Sequence, residues 1–351
     1  MPKFRETLLL AQQYGLLSDE EFVLYTTWTS RRIQTYATGI TTHSTLKHYV
    51  MMNVQLTSGF LETTFMHSPK SRVTTRNGVN VDRTEALSMY MKRFAYPCRY
   101  ADMVPMFARP IPHICMITNE VTNFIYSRWR HLLSDLNKPW LSREFLQQFA
   151  DKIHEKWAAL TNCWGFVDGT VRGISRPEKN QRVLYNGHEK IHSIKFQSVA
   201  APNGLIANLY GPVEGKRHDS SMLVMSGLLD QLGQYSFSPN GDILCIYGDP
   251  AYPLRRQLQA PFRNAVLTQD QTDWNKCMSK VRVSVEWLFG DIINYFKFLD
   301  FKKNLRNGLS AVGKMYISCA LIQNAHTCLY GSTTSQYFRM DPPTIHEYFI
   351  A

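Results

Sequence analysis

Acidic residues are the scarce charge in this chain of 351 residues: 28 Asp and Glu stand against 39 Lys and Arg, a formal net charge of +11. That balance excludes an acidic, solvating chain and favours a polyanionic partner, although a protein that is simply basic fits the charge sum equally well. Cysteines are few and odd in number (Cys98, Cys115, Cys163, Cys245, Cys277, Cys319 and Cys328), and no two form a C-x-x-C pair. A disulfide framework and a zinc finger are therefore not expected, and a reduced, intracellular protein is. No apolar run approaches ~18 residues, so no membrane span is expected. The apolar stretch from Leu8 to Ala11 is too short for a signal-peptide core. Internal repeats and low-complexity tracts are also missing. What is abundant is core-forming material, 44% hydrophobic and 13% aromatic residues, enough for two domains or one large domain with an extension.

The organisation reads as four segments: 1–83, an N-terminal extension; 84–160, all-α; 161–330, α/β; and 331–351, a C-terminal tail. In the first, Ser18-Asp19-Glu20-Glu21 has the form of a capped helix start. Pro69 to Arg83 is polar and basic, with a turn signal at Asn77-Gly78, and reads as a linker or a surface hairpin. Three helices follow. One begins at Thr84 as N-cap and carries Leu87, Tyr90, Met91 and Phe94 on one face. A second carries Tyr100, Met103, Val104 and Phe107, with Pro105 inside it. The third buries Ile114, Ile117, Val121, Phe124 and Ile125 and turns Thr118, Asn119, Thr122, Ser127, Arg128 and Arg130 to the other side. A short helix, a turn and a longer polar-faced helix have the outline of a helix-turn-helix, as do many ordinary helical domains. Trp140 to Trp157 reads as one further helix.

From Cys163 the pattern changes to strands. Cys163–Val167 is an apolar strand ending at Asp168. Ile191–Ala201 and Leu205–Val213 form a hairpin about Pro202-Asn203-Gly204. Asp219 caps a helix extending through Leu232, and Ile243–Tyr247 is a strand buried on both faces, bounded by Gly248-Asp249. Ala265–Thr268 is a candidate fifth strand. Helices follow around Met278–Phe296 and about Leu309–Leu329. The order β-β-β-α-β-(β)-α predicts a mixed sheet flanked by helices.

Three carboxylates fall where such a sheet would gather them. Asp168 and Asp249 each end an apolar strand, and Glu286 interrupts the apolar face of a helix. Each has a plainer reading: turn chemistry for the two aspartates, and an i,i+4 pair with Arg282 for Glu286. Brought together, they would repel one another unless cations balanced them, and an all-oxygen donor set suits Mg²⁺ or Mn²⁺. Two such ions serve phosphodiester chemistry. Asp219 reads first as a helix N-cap and second as an additional acid near the metals.

Gly165-Phe166-Val167-Asp168-Gly169-Thr170, Gly215-Lys216-Arg217-His218-Asp219-Ser220, Tyr247-Gly248-Asp249-Pro250-Ala251-Tyr252-Pro253 and Arg282-Val283-Ser284-Val285-Glu286-Trp287-Leu288-Phe289-Gly290 together resemble the DDE transposase domain of the PIF/Harbinger superfamily, over about Cys163 to Cys328. The family often has Gly where this chain has Ala251. The resemblance implies an RNase H-like fold with Asp168 on the first strand, Asp249 on the fourth and Glu286 on the late helix. It implies that these three acids are catalytic and hold two Mg²⁺ or Mn²⁺ ions. It also implies a helix-turn-helix region ahead of the catalytic domain, double-stranded DNA as substrate and a separate Myb-like DNA-binding partner, with room for a homo-oligomer and none for a membrane. A nuclear location, extending to the cytoplasm, is inferred from the substrate.

The leading expectation is thus a metal-dependent DNA endonuclease and strand-transferase. Arg282, Lys280, Arg172 and Lys195 would track phosphates, Arg128 and Arg130 would join them from the third helix, and Thr118, Asn119 and Thr122 would read bases. A domesticated DNA-binding or adaptor protein that does no chemistry is the alternative. An RNase or other phosphodiesterase on the same fold is a third reading.

Overall fold

The computed structural model describes residues 72–350 except 307 and 309, which leaves the helix start at Ser18 and the Leu309 boundary outside the described residues. These residues fall into two compact units that divide between Phe124 and Ile125. The sequence set its segments at 84–160 and 161–330. The division falls earlier because the helix at 143–154 packs on the first long strand of the sheet.

The described part of the first unit starts with a hairpin, β1 (Arg72–Thr74) and β2 (Asn80–Asp82), paired antiparallel about the Asn77-Gly78 turn. Helix α1 (Arg83–Ala95) follows directly. Its cap is Asp82 rather than Thr84: the Asp82 carboxylate accepts from the Thr84 and Glu85 N–H groups at 2.9 and 3.4 Å. A carboxylate serves better there because it also faces the positive end of the helix dipole. Helix α2 (Tyr100–Phe107) keeps Pro105 inside it, and α3 (Ile111–Trp129) begins just after Pro110. Leu87, Tyr90, Met91, Phe94, Met103, Phe107, Ile114, Ile117 and Val121 are buried, as their spacing predicts, whereas Tyr100, Val104 and Phe124, expected on the same faces, are half-buried. Arg109, in the turn between α2 and α3, grips Glu85 of α1 with two nitrogens at 2.6 and 3.1 Å.

The second unit carries α4 (Arg143–His154) and then β3 (Cys163–Gly173), which is longer than predicted, so that Asp168 lies within the strand. A single turn, α5 (Gln181–Leu184), and β4 (Tyr185–Asn186) lead into β5 (Ile191–Ala200) and β6 (Ile206–Glu214). The helix expected from Asp219 through Leu232 is two helices, α6 (Asp219–Ser226) and α7 (Leu228–Tyr235). They break at Gly227, whose φ of +63° is left-handed and suited to glycine. Then come β7 (Cys245–Tyr247), β8 (Leu258–Gln259), the long α8 (Gln269–Tyr295), α9 (Val312–Tyr330), α10 (Thr333–Phe338) and α11 (Ile345–Ile350). The fifth strand is therefore Leu258–Gln259. The expected strand at Ala265–Thr268 is irregular chain, and its Val266 is 86% exposed.

Six strands form one mixed sheet in the order β4-β5-β3-β7-β8, with β6 also paired to β5. β3 is antiparallel to β5, β5 is antiparallel to β6, and β7 runs parallel to both β3 and β8. The meander β3-β5-β6 followed by the parallel return to β7 is the topology of an RNase H-like nuclease fold. Cys163–Val167 and all of β7 are buried, as continuous apolar strands should be when both sheet faces are covered. α4 and α8 pack on β3, and α9 packs on β6 and α8. The C-terminal residues are part of this unit: Tyr348 is fully buried and its hydroxyl accepts from Asn324 at 2.9 Å.

Candidate active site

Sheet register places the first two acids. Phe166 pairs with Tyr247 across the parallel β3–β7 ladder. Asp168 and Asp249 each lie two residues beyond that pair, so the two chains carry them forward side by side. The Asp168 carboxylate accepts from the Gly169 N–H at 2.9 Å and from Arg282 Nη1 at 3.0 Å. Burial pushes its pKa up to about 6, against the opposing pull of Arg282 and the Gly169 N–H, and the charge of Asp249 adds to the rise. Asp249 is anchored by the Ala251 N–H, which donates to it at 3.0 Å. Its pKa is likewise raised by burial and by Asp219, with Ala251, Arg282 and Arg263 acting the other way.

Asp219 is the first residue of α6. It is no N-cap, because His218 occupies that position and contributes no side-chain bond. Its carboxylate instead pairs with Lys195 Nζ at 2.6 Å. Lys195 also donates to the Arg217 carbonyl at 3.0 Å, which fixes the loop leading into α6. Gly169 makes room for this arrangement: a Cβ there would meet Asp219 Oδ1 at 2.8 Å.

Tyr252, which the sequence reading passed over, sits among these acids. It is fully buried, its ring lies against Gly248, and its hydroxyl has no hydrogen-bond partner among the described residues. Burial, together with the charges of Asp219, Asp168 and Asp249, raises its pKa well above the ordinary phenol value. Its place three residues after Asp249 was the hint in the sequence.

Glu286 is on α8, and its side chain is 55% exposed. Arg282, one turn earlier, reaches both Glu286 Oε1 at 3.4 Å and Asp168 Oδ2 at 3.0 Å. The guanidinium thus joins the helix acid to the strand acid. Among the described residues no three His, Cys, Asp or Glu side chains converge to hold a metal ion as they stand. The donor chemistry nevertheless fits a hard divalent cation: the acids supply only oxygen, and the charge of Asp249 raises the pKa of Asp168 while that of Asp219 raises the pKa of Asp249.

The predicted DNA contacts divide. Lys280, Arg128, Arg130 and Asn119 are exposed. Lys195 is buried with its charge paired to Asp219, so it does not present itself to a phosphate. Arg172 turns inward, donating to Thr170 Oγ1 at 2.5 Å and lying over the Tyr316 ring. Thr118 and Thr122 are buried, and their hydroxyls bond back to the carbonyls of Ile114 and Thr118, so neither reads a base from that position. Their methyl groups let them join an apolar face once the hydroxyl is satisfied within the helix. The exposed arginines nearest to Asp249 in sequence are Arg255, Arg256 and Arg263, in a loop that also exposes Leu254, Phe262 and Val266. The adjacent pair Arg255-Arg256 was the signal in the sequence.

Residues 167–324, from β3 through most of α9, match the family model of a DDE superfamily endonuclease. Such domains act on DNA and generally use divalent metal ions. No curated protein and no solved structure is significantly similar to the chain.

Proposed function

We propose that this protein is a DNA endonuclease and strand-transferase of the PIF/Harbinger type, with Asp168, Asp249 and Glu286 as its acidic triad. The observation that carries the reading is that Asp168 and Asp249 each follow by two residues the Phe166–Tyr247 pair that ends the parallel β3–β7 ladder, with Glu286 tied to Asp168 through Arg282. Mg²⁺ or Mn²⁺ held there would supply charge stabilisation at the scissile phosphodiester. The chain's own part is to hold the carboxylates. The β3–β7 ladder leads to Asp168 and Asp249, the Ala251 N–H orients Asp249, and Lys195 pairs with Asp219 beside them, a further acid. Lys280, Arg255 and Arg256 would follow the DNA backbone from the surface. A Myb-like partner, self-association and a nuclear site of action belong to this proposal.

Incubation of the purified protein with supercoiled DNA tests it, in Mg²⁺, Mn²⁺ or EDTA, beside Glu286→Gln and Asp168→Asn. Metal-dependent nicking lost in both variants is the expected result. Cleavage that persists in Asp168→Asn would refute the assignment. The adaptor reading has one observation in its favour: Arg282 already neutralises two of the three acids. It predicts salt-sensitive DNA binding that is indifferent to metal.

A further inference from the structure

Arg282 bridges two elements of the fold. It projects from α8, packed on β3, and its two terminal nitrogens divide between carboxylates on different elements, Asp168 on β3 and Glu286 on α8. Its side chain is 21% exposed, so the charge is mostly withdrawn from water. Burial raises the pKa of Asp168, Asp249 and Tyr252 alike, and Arg282 is a cation that opposes the rise at all three. The acidic cluster therefore has its balancing charge on the chain itself.

We propose that Arg282 is the resident counter-cation of the acidic site, holding the Asp168 and Glu286 oxygens in the metal-free protein and giving them up when a divalent ion binds. This rests on the metal-dependent reading above. A divalent ion and a guanidinium drawn to the same carboxylate oxygens repel each other at that separation, so the two compete, and the intrinsic affinity of the site is reduced by whatever holds Arg282 in place. The Glu286 half of the bridge is the weaker, since it is longer, 3.4 against 3.0 Å, and its carboxylate is more than half exposed. Release therefore begins at Glu286, and Asp168 is the partner given up last. Once displaced, the guanidinium is a free planar donor beside the acids, matched to a phosphate. The competing possibility is that Arg282 is only a clip between α8 and β3, which would make its loss a matter of stability alone.

Calorimetric titration of the full chain with Mn²⁺ separates the two. Arg282→Gln should bind Mn²⁺ at least about five-fold more tightly than the parent. Arg282→Lys, which keeps the charge but lacks the planar fork that divides between the two carboxylates, should fall between. Equal or weaker Mn²⁺ binding by a folded Arg282→Gln overturns the proposal. A second readout is taken on the parent protein, and a folded variant of either kind is needed only to assign one resonance. The Arg282 Nε–H resonance, identified by its absence from Arg282→Gln or Arg282→Lys, should move on saturation with Mg²⁺, and an unmoved resonance also overturns the proposal. Asp168→Asn is the control for the underlying reading. If no protein in the set binds Mn²⁺, the metal reading fails and the proposal with it. If binding requires Asp168 but is equal with and without Arg282, the proposal alone fails.

Discussion

Lys195 Nζ and Asp219 Oδ1 meet at 2.6 Å, with only 9% and 22% of the respective side chains exposed. The pair joins β5 to the start of α6, and Lys195 closes the same loop by bonding the Arg217 carbonyl. An ion pair this far withdrawn from water is costly to break from one side, because the remaining charge stays buried. Lys195→Met should therefore destabilise the protein by about 3 kcal/mol in urea melts. Lys195→Met with Asp219→Leu should recover at least half of that loss. Strict additivity of the two single substitutions would show that the pair is not coupled.

Gly169 shares this corner of the site. An added Cβ would lie 2.8 Å from Asp219 Oδ1, and Asp219 cannot retreat without leaving Lys195. Gly169→Ala should cost about 1–3 kcal/mol by overpacking. The penalty should largely vanish when Asp219→Ala is already present, since the clash is then gone. Thermal melts of the four proteins in this cycle decide the matter. An undiminished cost in the double variant would place the origin of the glycine elsewhere, for example in the strand backbone.

Much of this corner was legible in the sequence, and the reasons differ by element. Asp168 and Asp249 could be placed because apolar strands announce themselves and because parallel neighbours carry equivalent positions forward together. Glu286 and Arg282 were recognisable as an i,i+4 pair, but that Arg282 also spans to Asp168 is a tertiary fact with no local signature. Lys195, Thr118 and Thr122 were misread for a common reason. Polar side chains within amphipathic patterns are assigned to the surface, whereas here each is buried with a partner, Asp219 for the lysine and the preceding helical carbonyls for the threonines. The split of α6 from α7 turned on one glycine that periodicity ran across.

Asp168 makes stability and function pull in opposite directions. Its pKa in the folded protein is about 6, above the usual carboxylate value, so the folded state binds its proton more tightly than the unfolded chain does. Keeping it ionised therefore costs stability above about pH 6, and the cost is relieved as the pH falls toward 4. In EDTA, Asp168→Asn should raise the melting temperature at pH 7.5, by the equivalent of about 3 kcal/mol at most. The advantage should shrink to nothing near pH 4, where the parent carboxyl is itself neutral. A variant less stable than the parent at pH 7.5 would mean that the Arg282 ion pair outweighs the burial of the charge.

The exposed arginines of the loop after Asp249 supply the last expectation. Arg255 and Arg256 are both exposed, whereas Arg172 and Lys195 are held inward by Thr170 and Asp219. If DNA passes over this loop, each arginine that meets a phosphate releases about one counterion. The double variant Arg255→Ala/Arg256→Ala should then lower the slope of log affinity against log salt by about 2, without moving the melting temperature. Arg172→Ala should do the reverse, lowering stability and leaving the salt slope alone, because it gives up the Tyr316 stacking rather than a phosphate contact. Anisotropy titrations on one duplex at several salt concentrations measure both. An unchanged slope in the Arg255/Arg256 variant would move the DNA path off this loop, toward the exposed Lys280 and Arg128 surfaces.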